Sequence, residues 1–288
     1  MKTAIVTDST VFLTDKYREK DNIFILPVPL ILDNQVYHET IDIHPDKFYD
    51  LLRESESLPK TSQPAFGEAV KLYETIAEQG FDAIISIHLS GGISGFVNTV
   101  HIIAQEVPQI NIFPFDSKIT SGPMGKLVEI ASDLADKELS AKEIVDILSD
   151  VREKVEGYIV VDDLNHLVRS GRLKNGAAII GTLFKIKPIL SFQSGDIVLT
   201  EKVRSQKKAL HRVEDIVLNE ITSKMDASTF YVIHCNNLEV AEQVKQELLT
   251  VNNLLDVQIC DFGPVIATHL GEKSVAIGVA PKTVRDLM

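Results

Sequence analysis

The sequence predicts an α/β protein of two domains, with a mainly parallel sheet and flanking helices first and a mixed α+β sheet second. The length of 288 residues exceeds what a single core usually supports. Apolar runs of strand length alternate with amphipathic stretches in the first half, which is typical of βαβ units. A hairpin pattern in the second half breaks this alternation. We therefore expect domains at residues 1–157 and 158–288.

The N-terminal half supplies the parallel sheet and its helices. Short apolar runs rich in Ile and Val predict strands over Ala4–Val6, Ile23–Leu32, Ala83–Leu89 and Ile110–Phe115. Apolar residues spaced three and four apart predict helices over Pro45–Ser55, Pro64–Gln79, Ser94–Glu106 and Gly122–Ala135.

The C-terminal half follows a charged helix predicted over Ala141–Glu156. The predicted helices are Leu164–Ser170 and Ala177–Lys185, and the predicted strands are Gly157–Val161, Thr229–His234, Val257–Phe262 and Val275–Val279. Lys187–Phe192 and Ile197–Arg204 flank the turn sequence at 193–196, which predicts a hairpin.

Composition narrows the classes of function. The net charge of −12 argues against general nucleic-acid binding, because the phosphate backbone requires a surplus of Lys and Arg. Aromatic residues make up 6% of the chain and Trp is absent, so an internal cavity should be lined by aliphatic groups. We find no apolar run of the ~18 residues that a membrane span needs, and the first apolar run is too short for a signal peptide. These observations predict a cytoplasmic protein without stable membrane insertion.

Cysteine and histidine patterns give no sign of a metal or a cofactor. Cys235 and Cys260 lie 25 residues apart in apolar runs, and we expect both to be buried, reduced thiols. His88, His234 and His269 show no metal-ligand spacing. We therefore expect no metal site and no cofactor.

Residues 169–212 form a basic island. This segment contains two acids, Asp196 and Glu201, and ten basic residues: Arg169, Arg172, Lys174, Lys185, Lys187, Lys202, Arg204, Lys207, Lys208 and Arg212. It is either a solvated face balanced by acids elsewhere or a docking surface for an anionic partner, whose approach such charge accelerates. The sequence leaves both interpretations open.

Three polar loops could receive an anion. Thr61 and Ser62 precede a predicted helix, where free backbone N–H groups are available. The run 89–95, which contains Ser94, joins a strand to a helix, and in an open α/β sheet this edge is where ligands bind. His269 lies in a short turn or helix, and a near-neutral pKa would make its contact with a carboxylate sensitive to pH. Each loop alone is more often a helix cap or a structural element.

Taken together, these segments resemble the DegV family of fatty-acid-binding proteins. The resemblance covers essentially the whole chain and is carried by motifs at residues 6–10, 61–64, 90–95, 169–172, 204–210 and 263–271. It implies a two-domain DegV-like fold that encloses a long-chain fatty acid, of the palmitate, stearate or oleate type, between its domains. The protein would then be a lipid carrier with no enzymatic activity and no cofactor.

The resemblance also implies a carboxylate site and a partner. Thr61, Ser94 and His269 match the family's carboxylate-binding positions, and the site includes their neighbours Ser62, Gly95 and Thr268. Some family members present the carboxylate to a fatty acid kinase that makes acyl-phosphate for phospholipid synthesis. The basic island would then face the kinase through Arg169, Arg172 and Arg204. Departures at Gly91–Phe96, Ala267 and Glu272–Lys273 leave the preferred acyl chain open.

A serine hydrolase is the main alternative. Ser94 on a strand-to-helix turn, with His269 as its base, resembles a nucleophile elbow. The local sequence misses the GxSxG spacing by one residue. A DNA-binding regulator is disfavoured by the charge and by the absence of a helix-turn-helix pattern.

Overall fold

The computed structural model describes residues 2–179, 186–221 and 227–284. Thirteen strands lie within these ranges. In chain order they are β1 (Thr3–Asp8), β2 (Ile23–Leu26), β3 (Pro29–Leu32), β4 (Gln35–His38), β5 (Lys60–Thr61), β6 (Ala83–His88), β7 (Asn111–Asp116), β8 (Glu156–Val160), β9 (Lys187–Gln193), β10 (Asp196–Val203), β11 (Ser228–His234), β12 (Asp256–Asp261) and β13 (Val275–Pro281).

Eleven α-helices lie within the same ranges, and a π-helical turn spans Ile216–Ile221. The helices are α1 (Asp15–Arg18), α2 (Pro45–Glu54), α3 (Phe66–Glu78), α4 (Phe96–Glu106), α5 (Ser121–Asp136), α6 (Ala141–Arg152), α7 (Asn165–Arg169), α8 (Gly176–Ile179), α9 (Gln206–Asp215), α10 (Leu238–Val251) and α11 (Gly263–Leu270).

The strands form three sheets. The first is fully parallel with the order β2-β1-β6-β7. The second has the order β10-β9-β8-β13-β11-β12 and is mixed, since β11 and β12 are parallel while the other pairs are antiparallel. A small antiparallel sheet, β4-β3-β5, lies between β2 and α3 in the chain. The α/β fold with a parallel first sheet and a mixed second sheet is confirmed.

The prediction of one continuous strand over Ile23–Leu32 was wrong. Ile23–Leu32 is two strands, β2 in the parallel sheet and β3 in the small sheet. Pro27 separates them, and because proline has no N–H it cannot continue a ladder. The small sheet matters for function because β3 pairs with β5 and so fixes the position of Thr61.

Several helix ends also differ from the predictions. Helices α3 and α4 begin two residues later than predicted, which leaves Pro64 and Ser94 in the preceding loops. Helix α6 ends at Arg152 rather than Glu156, because Glu156 already pairs within β8. Most of the predicted helix Ala177–Lys185 lies outside the described residues, where only its first turn is seen in α8.

Helix α5 is buried over most of its length and packs between the first two sheets. It contacts β1 and β6 on one side and β11 and β13 on the other. Gly122 permits this approach, because a Cβ there would lie 2.3 Å from the ring of Tyr231. The main apolar core accordingly joins residues from both halves of the chain. The predicted domain boundary near residue 157 falls within β8 and stays a prediction.

No helix in the described ranges is both long enough and apolar enough to cross a membrane.

Candidate functional site

Three polar loops meet at one cavity of about 450 Å³. Strand β5 brings Thr61, the loop after β6 brings Ser94, and α11, which follows β12, brings His269. The strand edge at which the cavity opens is the carboxyl end of β6, as predicted for ligand sites of parallel sheets. The structure thus brings Thr61, Ser94 and His269 together around one space.

The apolar part of the cavity wall is mainly aliphatic and includes three phenylalanines. Polar groups are contributed chiefly by the loops around Thr61, Ser94 and His269. A volume of this size lies in the range of small-molecule sites, which are usually apolar with a few placed polar groups. The apolar lining residues are Val28, Leu89, Ile93, Phe96, Ile159, Leu167, Phe192, Ile197, Phe262, Val265, Ile266 and Leu270.

Thr61 and His269 form a direct contact across the fold. Thr61 Oγ1 and His269 Nε2 are hydrogen-bonded at 2.8 Å, although the residues are 208 positions apart. His269 Nδ1 is buried and has no hydrogen-bond partner among the described residues. Such an atom is costly to leave unpaired.

The ionisation of His269 differs from the expectation. Burial is the largest cause, and together with the positive charge of Arg172 and the neighbouring His166 it lowers the pKa of His269 to about 4. His269 is therefore neutral near pH 7 in this structure, and the expectation of a near-neutral pKa was wrong. Desolvation outweighs the intrinsic basicity of the imidazole here.

The remaining predicted head-group residues lie close by but differ in their contacts. Ser94 Oγ accepts the N–H of Phe96 at 3.4 Å, and Gly95 is the residue immediately before α4. Ser62 lines the cavity and is exposed. Thr268 does not line this cavity, and its hydroxyl donates to the Pro264 carbonyl within α11 at 2.9 Å.

A second cavity of about 320 Å³, called the outer cavity below, adjoins the Thr61–His269 contact. Thr61, Arg172 and His269 line both cavities. The outer cavity is more basic than the inner one and is lined by Leu58, Pro59, Lys60, Thr61, His166, Arg169, Ser170, Arg172, Thr268 and His269. The polar contact is therefore shared by a mainly apolar cavity and a more basic one.

The three predicted partner-facing arginines do not share one location. Arg169 is exposed and lines the outer cavity, while Arg172 is half-buried between the two cavities. Arg204 is exposed and lines neither of them. The structure thus places Arg169 and Arg172, but not Arg204, at the head-group end.

Part of the basic island is neutralised by ion pairs. Lys174 contacts Asp196 at 2.6 Å, Lys187 contacts Asp162 at 2.5 Å, and Arg212 binds Glu201 through both Nε and Nη2. Lys185 lies outside the described residues. The solvated-face interpretation therefore applies to these three cations, while Arg169 and Arg172 line the outer cavity.

Asp8 lies in the motif at residues 6–10 and orients the loop at the cavity, a role that was not predicted. Its carboxylate accepts the Leu89 N–H at 2.9 Å and the Thr10 hydroxyl at 2.6 Å. His88 Nδ1 lies 3.0 Å from the same carboxylate, and His88 Nε2 lies 2.7 Å from Ser86 Oγ. Asp8, His88 and Ser86 are fully buried, so this network positions the loop.

Glu39 anchors the helix that carries His269, and it was also missed. Its carboxylate accepts the Val265 N–H at 2.9 Å, in the first turn of α11, and the Ser9 hydroxyl at 2.7 Å. Glu39 is 2% exposed. Burial raises its pKa to about 8 despite these two hydrogen bonds, so the carboxyl is largely protonated at neutral pH.

The hairpin turn of the second sheet closes onto the Ser94 loop. Ser194 and Gly195 form the turn, and both have positive φ. Ser90 Oγ donates to the Gly195 carbonyl at 2.6 Å. A Cβ on Gly92 would lie 2.4 Å from the same carbonyl oxygen, so a glycine is required for this approach.

The geometry of a serine hydrolase is not seen among the described residues. His269 Nε2 is engaged by Thr61, while Ser94 Oγ accepts a backbone N–H. Cys235 and Cys260 are free and buried, as predicted, and burial raises the pKa of both thiols.

An apolar cavity with a polar contact at one end is typical of α/β proteins that bind a small molecule. A family model described as "Uncharacterised protein, DegV family" matches residues 2–282, and the chain belongs to the DegV family. A DegV domain-containing protein of Streptococcus pyogenes serotype M1 is 40% identical over 283 residues, which are 98% of this chain and 100% of the relative.

Two solved structures are similar over the whole chain. A fatty acid binding DegV family protein from Streptococcus agalactiae has 40% identity and a TM-score of 0.93, with 98% of this chain and 100% of that chain covered. DegV, a fatty acid binding protein from Bacillus subtilis, has 38% identity and a TM-score of 0.91 with the same coverage.

Proposed function

We propose that this protein binds a long-chain fatty acid in the inner cavity and holds its carboxylate with Thr61, Ser94 and His269. The observation that carries the proposal is the Thr61–His269 hydrogen bond at the polar end of an aliphatic cavity. Ser62 and Gly95 complete the head-group loops, whereas Thr268 faces the outer cavity.

The acyl tail supplies most of the binding free energy. Burying about 14 methylenes at roughly 0.8 kcal/mol each contributes on the order of 11 kcal/mol before ordering costs. A carboxylate near a helix N-terminus contributes only about 0.3 to 1 kcal/mol. The tail therefore sets affinity, and the head-group residues set orientation. Palmitate, stearate and oleate all present this chemistry, and the two similar structures are of fatty acid binding proteins.

The protein acts as a cytoplasmic carrier that presents the carboxylate to a separate fatty acid kinase for acyl-phosphate formation. The outer cavity supports this proposal, because it joins the Thr61–His269 contact to Arg169 and Arg172. The exposed Arg169 and the half-buried Arg172 place positive charge where it favours the approach of an anionic partner surface. We therefore assign no enzymatic activity to this chain alone.

Replacing Thr61 by Val tests the head-group assignment. The substitution keeps the shape of the side chain and removes the hydroxyl that contacts His269, so we expect palmitate or oleate binding to weaken by up to about 1 kcal/mol, or roughly fivefold. Equilibrium binding to delipidated protein measures this. Thr250→Val, on an exposed position of α10, is the matched control. If wild type, Thr61→Val and Thr250→Val bound the fatty acid with equal affinity, the assignment of Thr61 to the carboxylate site would be overturned.

Replacing Arg169 by Glu tests the kinase-facing surface. Arg169 lines the outer cavity and not the inner one, so the lipid content should stay unchanged while acyl-phosphate formation by an added fatty acid kinase falls. Loss of bound lipid in this variant, with kinase turnover per bound lipid unaltered, would refute the assigned surface.

A further inference from the structure

A three-residue cluster lies on the face of the second sheet opposite the lipid cavity. His211 and Glu214 are one turn apart on α9, and Glu247 is on the neighbouring α10. Residues of both helices pack with Val160, whereas its neighbour Ile159 lines the inner cavity. Because adjacent residues of a strand point to opposite faces, the cluster is separate from the fatty acid site.

The spacing of the three side chains suits a small cation. His211 Nδ1 lies 3.2 Å from Glu214 Oε2 and 3.4 Å from Glu247 Oε2. Two ligands of a tetrahedral zinc ion, each about 2.0 to 2.2 Å from the metal, are about 3.3 to 3.5 Å apart. All three ligand atoms lie within 4.8 Å of one another. The imidazole nitrogen therefore already lies at about the spacing of two zinc ligands from each carboxylate oxygen.

The burial of Glu214 is a second and independent observation. Glu214 is 8% exposed, and its Oε1 is buried without a hydrogen-bond partner among the described residues. An ionised carboxylate in such a place requires a compensating charge. A single imidazolium can donate from Nδ1 to the two carboxylates but leaves Glu214 Oε1 unpaired. A divalent cation would compensate both carboxylates together, and binding by both oxygens of Glu214 would also pair Oε1.

We propose that His211, Glu214 and Glu247 bind a first-row divalent metal ion, and zinc is the ion used to test this. Nitrogen and carboxylate oxygen ligands are the set that zinc accepts with three protein ligands and one open position. The side chains of His211 and Glu247 are 45% and 43% exposed, which gives the ion a path from solvent. The bound ion links α9 to α10 and stabilises the outer layer of the second sheet.

Neither the composition nor the histidine spacing indicated this site. A His and a Glu three residues apart on a helix are common on solvated faces, and the third ligand is 33 positions further along the chain. Only the packing of α9 beside α10 brings Glu247 to the pair.

Tag-free protein treated with a chelator and then titrated with zinc tests the proposal. We expect one zinc per chain by calorimetry and a rise in melting temperature on zinc addition, since ligands that bind the folded state stabilise it. His211→Gln and Glu247→Gln, both at partly exposed positions, should weaken zinc binding by at least roughly tenfold. Cobalt substitution should give the visible absorption of a low-coordinate site in wild type and not in these variants.

His101→Gln on α4 and Glu242→Gln on α10 are the matched controls, because both remove an exposed side chain of the same type. They should bind zinc as wild type does. Two results would overturn the proposal: no stoichiometric zinc binding by wild type, which would leave an ion pair only, or equal binding by wild type and both ligand variants.

Discussion

Replacing Glu39 by Gln should flatten the pH dependence of stability between about pH 4.5 and about pH 8. Burial raises the pKa of this carboxyl from 4.5 to about 8, so the folded state holds a proton that the unfolded state releases in this range. The unfolded state then binds fewer protons, and stability falls as pH rises. Above about pH 8 the folded carboxyl ionises too and no further loss arises from Glu39.

The magnitude follows from the size of the pKa change. One pKa unit corresponds to about 1.4 kcal/mol, so the rise from 4.5 to about 8 reduces the free energy of unfolding by on the order of 5 kcal/mol across the window. Glutamine keeps an oxygen that can accept the Val265 N–H, and it carries no ionisable proton. Glu39→Gln should therefore lose this pH dependence of stability and keep the hydrogen bond that anchors α11.

Urea denaturation at a series of pH values measures the effect as a difference between wild type and variant. Other groups contribute to the slope of each protein, including His234 and His269 with lowered pKa values, and the difference cancels them. Glu56→Gln at an exposed position is the control and should leave the curve unchanged. Parallel curves for wild type and Glu39→Gln would refute a protonated Glu39 in the folded state.

Two further predictions concern the loop contacts and the ionisation of the site. Gly92→Ala should lower the free energy of unfolding by about 1 to 3 kcal/mol, because its Cβ would lie 2.4 Å from the Gly195 carbonyl oxygen. The control is Gly67→Ala in α3, where there is open space for a Cβ, and it should be neutral or stabilising by up to about 1 kcal/mol. Denaturant melts that show equal effects of the two substitutions would contradict this prediction. Arg172→Met should raise the pKa of His269 above about 4 but keep it below 6.5, since burial is the larger cause of the lowered value. NMR titration of His269 measures this, with Arg204→Met as the control. An unchanged His269 pKa in Arg172→Met would contradict the effect assigned to the charge of Arg172.

The sequence predicted much of the fold because its signals are local. The apolar strand runs of the parallel sheet and the hairpin turn at Ser194 and Gly195 are visible within short windows. Pro27 also carried the signal that splits the second predicted strand in two. Helix starts were less accurate, since α3 and α4 begin after the polar loops rather than within them.

The site was only partly predictable because its contacts are long-range. Thr61, Ser94 and His269 were selected as polar loop residues, and their convergence came from the resemblance to a family. The pairing of β5 with β3 and the position of α11 after β12 bring Thr61 to His269. Glu39 was missed, and the role of Asp8 was not predicted, because their partners, Val265 and Leu89, are 226 and 81 positions away. No local pattern reports such contacts.

The most direct test of the central claim is lipid identification in the purified protein. Protein isolated from cells and denatured in organic solvent should release about one long-chain fatty acid per chain by mass spectrometry, as expected for an aliphatic cavity of about 450 Å³ with a polar end. An extract free of fatty acid, combined with no uptake of added palmitate or oleate, would contradict the proposed function.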